Sequence, residues 1–254
     1  MWHLLSSQTR KRRPAIPEGI RIYAIGDVHG CADVLRQMLS FVDLDLRANP
    51  SPRPIQVFLG DYIDRGPASS DVLDCLIRRG SEHECIFLKG NHEDYLHKFL
   101  ENPDALREWQ RVGGLETLVS YGLKPSLNSS AMEQVELAKA IRRQLPESHQ
   151  GFLAGLKASF TCGDFFFVHA GVKPGIPLSQ QQEKDLLGIR DDFLYCEDDY
   201  GKIIVHGHTP ILEPDVRPNR INIDTGCYAS GRLTCMIIAR DDMRFESASK
   251  SAKR

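Results

Sequence analysis

The stretch IRIYAIGDVHG, residues 20–30, joins a short apolar run to a glycine-bounded turn. The run Ile20–Ile25 has the length of a buried strand, and apolar residues at helical spacing begin at Val34. The same order recurs twice, with strands at Ile55–Leu59 and Cys85–Leu88 followed by helices at Ser70–Ile77 and Glu93–Leu100. Strands that alternate with helices in this way predict βαβ units and therefore a parallel sheet.

The pattern changes after the third of these helices. Residues 103–157 have helical periodicity with turn signals at Gly113, Gly122 and Pro146, which predicts a helical insertion. Further strands are predicted at Ser159–Thr161, Phe165–Val168, Ile203–Val205, Ile221–Ile223 and Leu233–Ala239. We expect one domain over residues 19–245, between a basic tail at 1–18 and a C-terminal tail at 246–254.

Composition and charge exclude several classes of protein. The chain has 254 residues, of which 41% are hydrophobic, a proportion typical of globular proteins rather than disordered or collagen-like ones. The first 13 and the last five residues carry seven Lys and Arg and no acidic residue, which leaves 25 basic against 34 acidic residues between them. A chain whose central part is this acidic binds nucleic acid backbones poorly. No apolar run has the roughly 18–20 residues of a membrane-spanning helix. We therefore expect neither a specific nucleic acid partner nor a membrane.

Cysteine usage and the first residues bear on the compartment. The seven Cys residues are odd in number and include no C-x-x-C pair, which predicts free thiols in a reducing cytoplasm rather than disulfides or a zinc site. The start is a poor signal peptide, because its charges at 10–13 follow the short apolar piece instead of preceding it. A cytoplasmic protein is expected.

Polar side chains follow five of the predicted strands in short glycine-framed motifs. These motifs are Gly26-Asp27-Val28-His29-Gly30, Gly60-Asp61-Tyr62-Ile63-Asp64-Arg65-Gly66, Gly90-Asn91-His92-Glu93, Val168-His169-Ala170-Gly171 and His206-Gly207-His208-Thr209-Pro210. Parallel strands deliver such turns to one edge of the sheet, where α/β proteins bind ligands. Asp, Asn and His without Cys suit Mn, Fe, Zn or Mg. Six such ligands are enough for two ions that share a bridging carboxylate, and two ions about 3.5–4 Å apart can generate hydroxide and clamp a phosphoryl group.

Taken singly, several of these residues also have structural explanations. Asp27 fits a helix cap, His29 fits a core histidine, and His92 fits a cap of the helix that starts at Glu93. Asp64 beside Arg65 fits a surface ion pair. Because a motif of this kind follows one predicted strand after another, the joint pattern favours a functional site.

Together, the five motifs resemble the signature of the phosphoprotein phosphatase family of metallophosphoesterases, above all its small bacterial and bacteriophage-lambda-type branch. The resemblance runs from about Ile20 to Ala239. It implies an α/β fold with a central β-sandwich flanked by helices, so that the later strands form or join a second sheet. It also implies two divalent metal ions, foremost Mn²⁺ with Fe, Zn or Mg as alternatives, and a phosphorylated protein or peptide as substrate.

The resemblance also assigns roles to individual residues. Asp27 and His29 would hold the first ion, Asp61 would bridge, and the second ion would be held by Asn91, His169 and His208. His92 would protonate the leaving-group oxygen with Asp64 as its carboxylate partner. Arg65 would bind the phosphate together with Arg190, which lies between the last two histidine motifs.

Three details stay open in the sequence. His206 and His208 point to the same side of an extended chain, so geometry alone does not exclude His206 as a ligand, although the family pattern favours His208. Tyr228 either faces the site or packs in the core. The segment from Trp109 to Gly122 forms either a substrate rim or a packed helical hairpin.

The resemblance implies a serine/threonine protein phosphatase, in which a metal-bridging hydroxide attacks phosphorus in line. The main rival is symmetrical hydrolysis of diadenosine tetraphosphate. Enzymes of that type typically have Ala in the place of Asp64, Asp in the place of Glu93, and no Thr-Pro after the last His, and this sequence differs at all three. A phosphoprotein-binding module without activity would have lost a ligand or His92, and none is lost.

Overall fold

The computed structural model describes residues 13–249. In chain order its strands are β1 (Ile20–Ile25), β2 (Arg53–Phe58), β3 (Cys85–Phe87), β4 (Ser159–Cys162), β5 (Phe165–Val168), β6 (Ile203–His206), β7 (Asp215–Val216), β8 (Arg220–Asn222), β9 (Arg232–Ala239) and β10 (Asp242–Ser249). The α-helices are α1 (Ala32–Ala48), α2 (Ser69–Glu82), α3 (Asn91–Glu101), α4 (Leu106–Trp109), α5 (Gly114–Ser120), α6 (Ala131–Gln144), α7 (Glu147–Ala154), α8 (Glu183–Gly188), α9 (Asp191–Leu194) and α10 (Cys227–Ser230). Short 3-10 turns lie at Pro103–Ala105, Gln110–Val112 and Leu178–Gln180.

The strands form two five-stranded mixed sheets. The first has the order β10-β9-β1-β2-β3, in which β1, β2 and β3 are parallel and β9 and β10 run antiparallel to their neighbours. The second has the order β4-β5-β6-β8-β7, with β5, β6 and β8 parallel between antiparallel edge strands. The three predicted βα units are therefore confirmed, and so is the second sheet.

Three apolar layers hold these sheets and helices together. Alternation along β1 sends Ile22 into the layer between the two sheets, where it joins Phe167 and Val205 of the second sheet. Tyr23, one position on, faces the helices that cover the first sheet. On the far side Phe193 packs against the second sheet. Each fully buried side chain of this size stabilises the fold by about 1.5–3 kcal/mol, and the result is the β-sandwich flanked by helices that was predicted.

The end of the chain differs from the prediction. The tail expected at 246–254 is, up to Ser249, part of β10, which pairs antiparallel with β9 along its whole length. Its sequence looked like a tail because β10 is an edge strand that is only partly buried. Its Met243 and Phe245 pack into the layer between the two sheets, and most of its other residues are polar. At the other end, Ile16 is buried and its amide donates a hydrogen bond to the Arg240 carbonyl, so the predicted tail is attached to the domain at this residue. Residues 1–12 and 250–254 of the predicted tails lie outside the described residues.

Residues 103–154 are mainly helical, as their periodicity predicts. Leu118, Ala138 and Ile141 of this insertion join the same apolar layer as α1 and α2. The insertion is thus packed onto the domain rather than separate from it. Between residues 13 and 249, no helix combines the length and apolar character needed to cross a bilayer.

Candidate metal centre

Polar side chains from both sheets meet at one edge of the sandwich. The turns after β1, β2 and β3 bring Asp27, His29, Asp61 and Asn91, and those after β5 and β6 bring His169 and His208. All of these except Asn91 are buried. This is the edge where parallel strands end, so the topology brings together the residues that the sequence singled out.

Asp61 is shared by two compact groups of ligand atoms. One group consists of Asp61, His29 and His92, and the other of Asp61, His169 and His208, with the ligand atoms of each lying within 4.8 Å of one another. Oδ2 of Asp61 is 3.4 Å from Nε2 of His29, and Oδ1 is 3.4 Å from Nε2 of His169. The two oxygens of one carboxylate thus face two different ligand groups, which is the arrangement of a bridging carboxylate.

The second group is completed by Asn91. Its Oδ1 lies 3.0 Å from Nε2 of His169 and 2.8 Å from Nδ1 of His208. An amide oxygen and two imidazole nitrogens therefore converge on one point. Such a mixed oxygen and nitrogen set is suited to a divalent ion of the Mn, Fe or Zn type.

Asp27 lies beside these groups but outside both of them. Its Oδ2 accepts a hydrogen bond from the His208 amide at 3.0 Å, whereas its Oδ1 is buried without a partner, as is Nε2 of His208. Burial raises the pKa of the Asp27 carboxyl, and the neighbouring carboxylates of Asp224 and Asp61 raise it further. A buried carboxylate oxygen without a partner is costly unless a cation compensates it. The residues present therefore fit bound divalent metal ions.

The histidines are held in the form that binds metals. Burial lowers the pKa of His29 to about 3 and that of His208 to about 2, and it also lowers the pKa of His169, so these imidazoles are neutral near pH 7. Nδ1 of His29 lies 2.9 Å from the Ile63 carbonyl, and Nδ1 of His169 lies 2.9 Å from the Leu59 carbonyl. A hydrogen bond donated by Nδ1 leaves Nε2 free as the ligand atom.

Backbone strain is concentrated at this edge. Of the non-glycine residues with positive φ in the described part of the chain, all but Arg240 belong to the motifs: His29 (44°), Asp61 (51°), Asp64 (72°), Arg65 (63°) and His208 (67°). Each such conformation costs of order 1–3 kcal/mol, and this kind of strain clusters at functional sites. Gly90 is required for a different reason, since a Cβ there would collide with the Asp61 carboxylate.

Asp64 and His92 form a buried pair, as the sequence predicts. Nδ1 of His92 lies 2.7 Å from Oδ2 of Asp64, and the Asp64 side chain is fully buried. Burial raises the pKa of Asp64 above its usual value. Burial alone would lower the pKa of His92, but the nearby Asp61 and Asp64 carboxylates outweigh it and the pKa is raised. The protonated imidazole that a general acid needs is thus favoured.

Two residues of the helical insertion support this pair. Nε1 of Trp109 donates to Oδ2 of Asp64 at 2.7 Å, and the Thr117 hydroxyl donates to Oδ1 at 2.5 Å. The carbonyls of Gly113 and Val112 accept hydrogen bonds from the amide and Nε of Arg65. The segment from Trp109 to Gly122, for which the sequence left a substrate rim and a packed hairpin open, therefore supports the buried Asp64–His92 pair. The sequence did not indicate these contacts, because no motif connects positions 109 and 117 with position 64.

The two arginines border different ligand groups. Nη2 of Arg65 is 3.3 Å from Nε2 of His92. Nη1 of Arg190 donates to the Thr209 hydroxyl at 3.3 Å, and its charge contributes to the lowered pKa values of His169 and His208. Two guanidinium groups at such a centre suit the binding of phosphate oxygens.

The structure answers two questions that the sequence left open, on the positions of Tyr228 and His206. The Tyr228 ring faces the site, since its centroid lies 5.3 Å from the His29 ring and 4.4 Å from the Arg65 guanidinium carbon. His206 is fully buried with its ring against Phe193, and it belongs to neither ligand group. Burial lowers the pKa of His206 to about 3, so it is a neutral core histidine.

Glu93 and Asp224 are further buried carboxyls that sequence reasoning did not assign to the site. Glu93 accepts hydrogen bonds from the amides of Gly90, Asp61 and Tyr62 at 2.9, 3.0 and 2.8 Å, which ties the second motif to the third. Asp224 follows β8, and burial is the main cause that raises its pKa to about 6. The signal was present for both, because Glu93 ends a motif and Asp224 follows a predicted strand.

Comparison with known proteins agrees with this geometry. Residues 20–232 match the family described as calcineurin-like phosphoesterase. The asymmetrical bis(5'-nucleosyl)-tetraphosphatase PrpE of Anoxybacillus flavithermus (strain DSM 21510 / WK1) is 30% identical over 230 residues, which cover 84% of this chain and 88% of the relative.

Solved structures show the same fold at low sequence identity. A candidate diadenosine tetraphosphatase is similar with a TM-score of 0.62 and 19% identity, covering 91% of this chain and 95% of the other. A serine/threonine phosphatase from Saccharomyces cerevisiae is similar with a TM-score of 0.52 and 14% identity, covering 95% and 86%. The family match spans β1 to β8 and every motif of the metal centre, and on this basis the chain belongs to the calcineurin-like phosphoesterases.

Proposed function

We propose that this phosphoesterase hydrolyses dinucleoside tetraphosphates asymmetrically, to a nucleoside monophosphate and a nucleoside triphosphate. What carries the proposal is the similarity to the PrpE tetraphosphatase, which extends over 84% of this chain. The rival weighed from the sequence was the symmetrical reaction, whereas the name of this relative specifies asymmetrical cleavage.

The side chains of the site fit hydrolysis of a phosphate bond. Two divalent ions held by Asp27, His29, Asp61, Asn91, His169 and His208 would supply hydroxide at neutral pH and neutralise phosphate charge. Arg65 and Arg190 hold the phosphate oxygens from the two sides of the centre, each by a charge-assisted hydrogen bond. The carboxylate, amide and imidazole donors suit Mn, Fe or Zn alike, and we put manganese first because the family resemblance implies it.

His92 provides the proton for the leaving group. Asp64 holds Nδ1 at 2.7 Å, so Nε2 is the atom that can donate. A nucleoside triphosphate is a weakly basic leaving group and needs little protonation, whereas the alkoxide of a serine side chain needs full protonation.

The dependence of hydrolysis on protonation of the leaving group gives a second candidate function. The buried, fully hydrogen-bonded Asp64–His92 pair favours a substrate with a basic leaving group, as in a serine/threonine protein phosphatase acting on phosphorylated proteins or peptides. The sequence resemblance points to the same activity.

We place the protein in the cytoplasm, because its cysteines are odd in number and include no C-x-x-C pair.

One experiment separates these functions. The Mn²⁺-loaded protein is incubated with diadenosine tetraphosphate, a phosphoserine peptide and a phosphotyrosine peptide, and the products are separated by ion-exchange chromatography. AMP and ATP in equal amounts are expected from diadenosine tetraphosphate. Two ADP molecules would show symmetrical cleavage, and turnover of the peptides alone would favour the second candidate. The His208→Ala variant is the control for a contaminating hydrolase, since it should lose every one of these activities.

A further inference from the structure

A cavity of about 370 Å³ opens beside the His29 side of the metal centre. Three segments line it: residues 30–34, 65–68 and 227–231, here called together the Tyr228 pocket. The first segment directly follows His29 and the second directly follows Asp64, and the Tyr228 ring lies 5.3 Å from the His29 ring, so the pocket is next to the metal centre. Neither the family match nor the sequence motifs assign it a ligand.

The inner wall of this pocket is formed by two flat groups. The Arg65 guanidinium lies 4.4 Å from the centroid of the Tyr228 ring, and 41% of Tyr228 is exposed. Apart from Arg65, the charged lining residue is Asp33, whose carboxylate is exposed and paired with Arg36 at 2.9 Å. No second cation is therefore available among the lining residues for another phosphate. Aromatic rings and guanidinium planes are the groups on which nucleobases stack.

Arg65 connects this pocket with the reacting centre. The same guanidinium that lies over Tyr228 has its Nη2 3.3 Å from Nε2 of His92. A nucleoside in the pocket would therefore have its own 5'-phosphate at Arg65 and the metal centre. The next phosphate along the substrate would then belong to the leaving group.

We propose that the Tyr228 pocket binds the nucleoside whose own phosphate is attacked, with its base against Tyr228. This inference rests on the proposed tetraphosphatase function, and it explains why cleavage is asymmetrical. The oxygen of water forms a bond to the terminal, nucleoside-bearing phosphorus, and the bond from that phosphorus to the oxygen bridging to the next phosphate breaks. The bridging oxygen leaves with the electron pair as part of the nucleoside triphosphate, and the monophosphate keeps the oxygen of water.

The site of attack is tested by hydrolysing diadenosine tetraphosphate in H₂¹⁸O and analysing both products by mass spectrometry. We expect ¹⁸O in AMP and none in ATP. Label in ATP would mean attack on the inner phosphate and would overturn the proposal while leaving asymmetrical cleavage intact. Cleavage of the substrate into two ADP molecules would overturn the proposed function and this inference together.

The pocket itself is tested by binding, without reliance on tetraphosphate turnover. The affinities of AMP and of ribose 5-phosphate for the Mn²⁺-loaded protein are compared by calorimetry, with phosphate release followed in parallel. AMP should bind about fivefold or more tightly, the effect expected of one stacked base. In Tyr228→Ala this ratio should fall to near one, whereas Tyr228→Phe should keep it.

The ratio of the two affinities separates stacking from a disturbed Arg65, because a misplaced guanidinium would weaken both ligands equally. Tyr195→Ala, which removes an exposed tyrosine outside the pocket, serves as the matched control and should leave the ratio unchanged. Equal binding of AMP and ribose 5-phosphate to the wild-type protein would overturn the pocket assignment even if tetraphosphate is cleaved. A preference for AMP that depends on Tyr228, in a protein that does not cleave the tetraphosphate, would support the pocket and refute the proposed function.

Discussion

Replacement of His92 by Asn tests the role of the buried pair most sharply. His92 is 1% exposed, its Nδ1 lies 2.7 Å from Asp64, and its Nε2 lies 3.3 Å from Arg65. Asn retains a group that can donate to Asp64 but has no proton that it can transfer near neutral pH. Loss of a general acid typically costs a factor of roughly 10²–10⁴, which is about 2.7–5.5 kcal/mol of transition-state stabilisation.

This loss should depend on the leaving group. We expect the full decrease in kcat on a phosphoserine peptide, where an alkoxide departs, and a much smaller decrease on p-nitrophenyl phosphate and diadenosine tetraphosphate. The assay is steady-state kinetics of wild type and His92→Asn on these three substrates. An equal loss on all three would contradict proton donation by His92.

Metal analysis of the same variant provides the control, because His92 also belongs to one of the two compact ligand groups. If His92 is the acid, the variant should keep the wild-type metal content, since Asp27, His29 and Asp61 remain to hold the ion. Loss of one ion per chain, measured by elemental analysis after gel filtration, would make His92 a ligand and refute the reasoning.

Three further substitutions have definite expected outcomes. Arg190→Ala should raise KM and lower kcat/KM by about 1–3 kcal/mol, the value of a charge-assisted contact, and unchanged kinetics would mean that another group holds the phosphate. His208→Ala should lose one of two bound ions and nearly all activity, whereas His206→Ala should keep both ions because His206 packs against Phe193; elemental analysis with the opposite result would reverse the assignment. Burial alone raises the pKa of Asp45, but hydrogen bonds from Tyr23 and Arg244 and the charge of Arg21 lower this pKa overall. Its contribution to stability is therefore present at neutral pH and is lost as the pH falls below about 4. The difference in free energy of unfolding between wild type and Asp45→Asn, measured in urea, should therefore be largest near pH 7 and should shrink at pH 3; a difference independent of pH would contradict this.

The sequence predicted the candidate ligand residues because their chemistry is local. Asp27, Asp61 and Asn91 each follow a short apolar strand, and parallel strands must deliver such turns to one edge. The structure brings these residues together as expected. The second sheet could not be predicted from strand periodicity, because periodicity does not show which strands pair. Only the resemblance to a known family indicated it.

The residues that the sequence missed act across long separations. Trp109 and Thr117 contact Asp64 from 45 and 53 positions away, and nothing in the helical periodicity of the insertion distinguishes them from ordinary core residues. For the same reason the sequence favours a packing role for Tyr228, whose ring in the structure faces the site. The edge strand β10 was missed because a partly exposed strand needs few apolar residues, and a mainly polar sequence near a chain end resembles a tail.

Titration of the metal-free protein with Mn²⁺ tests the central claim, that two ions held by these six residues are required for phosphoester hydrolysis. The protein is stripped with a chelator, the ion is added back in steps, and bound metal and hydrolysis of p-nitrophenyl phosphate are measured in the same samples. We predict no activity without metal, a limit of two ions per chain, and activity that rises only as the second ion binds; Asn91→Ala should bind one ion and stay inactive. Full activity in rigorously metal-free protein, or with a single ion bound, would contradict the account.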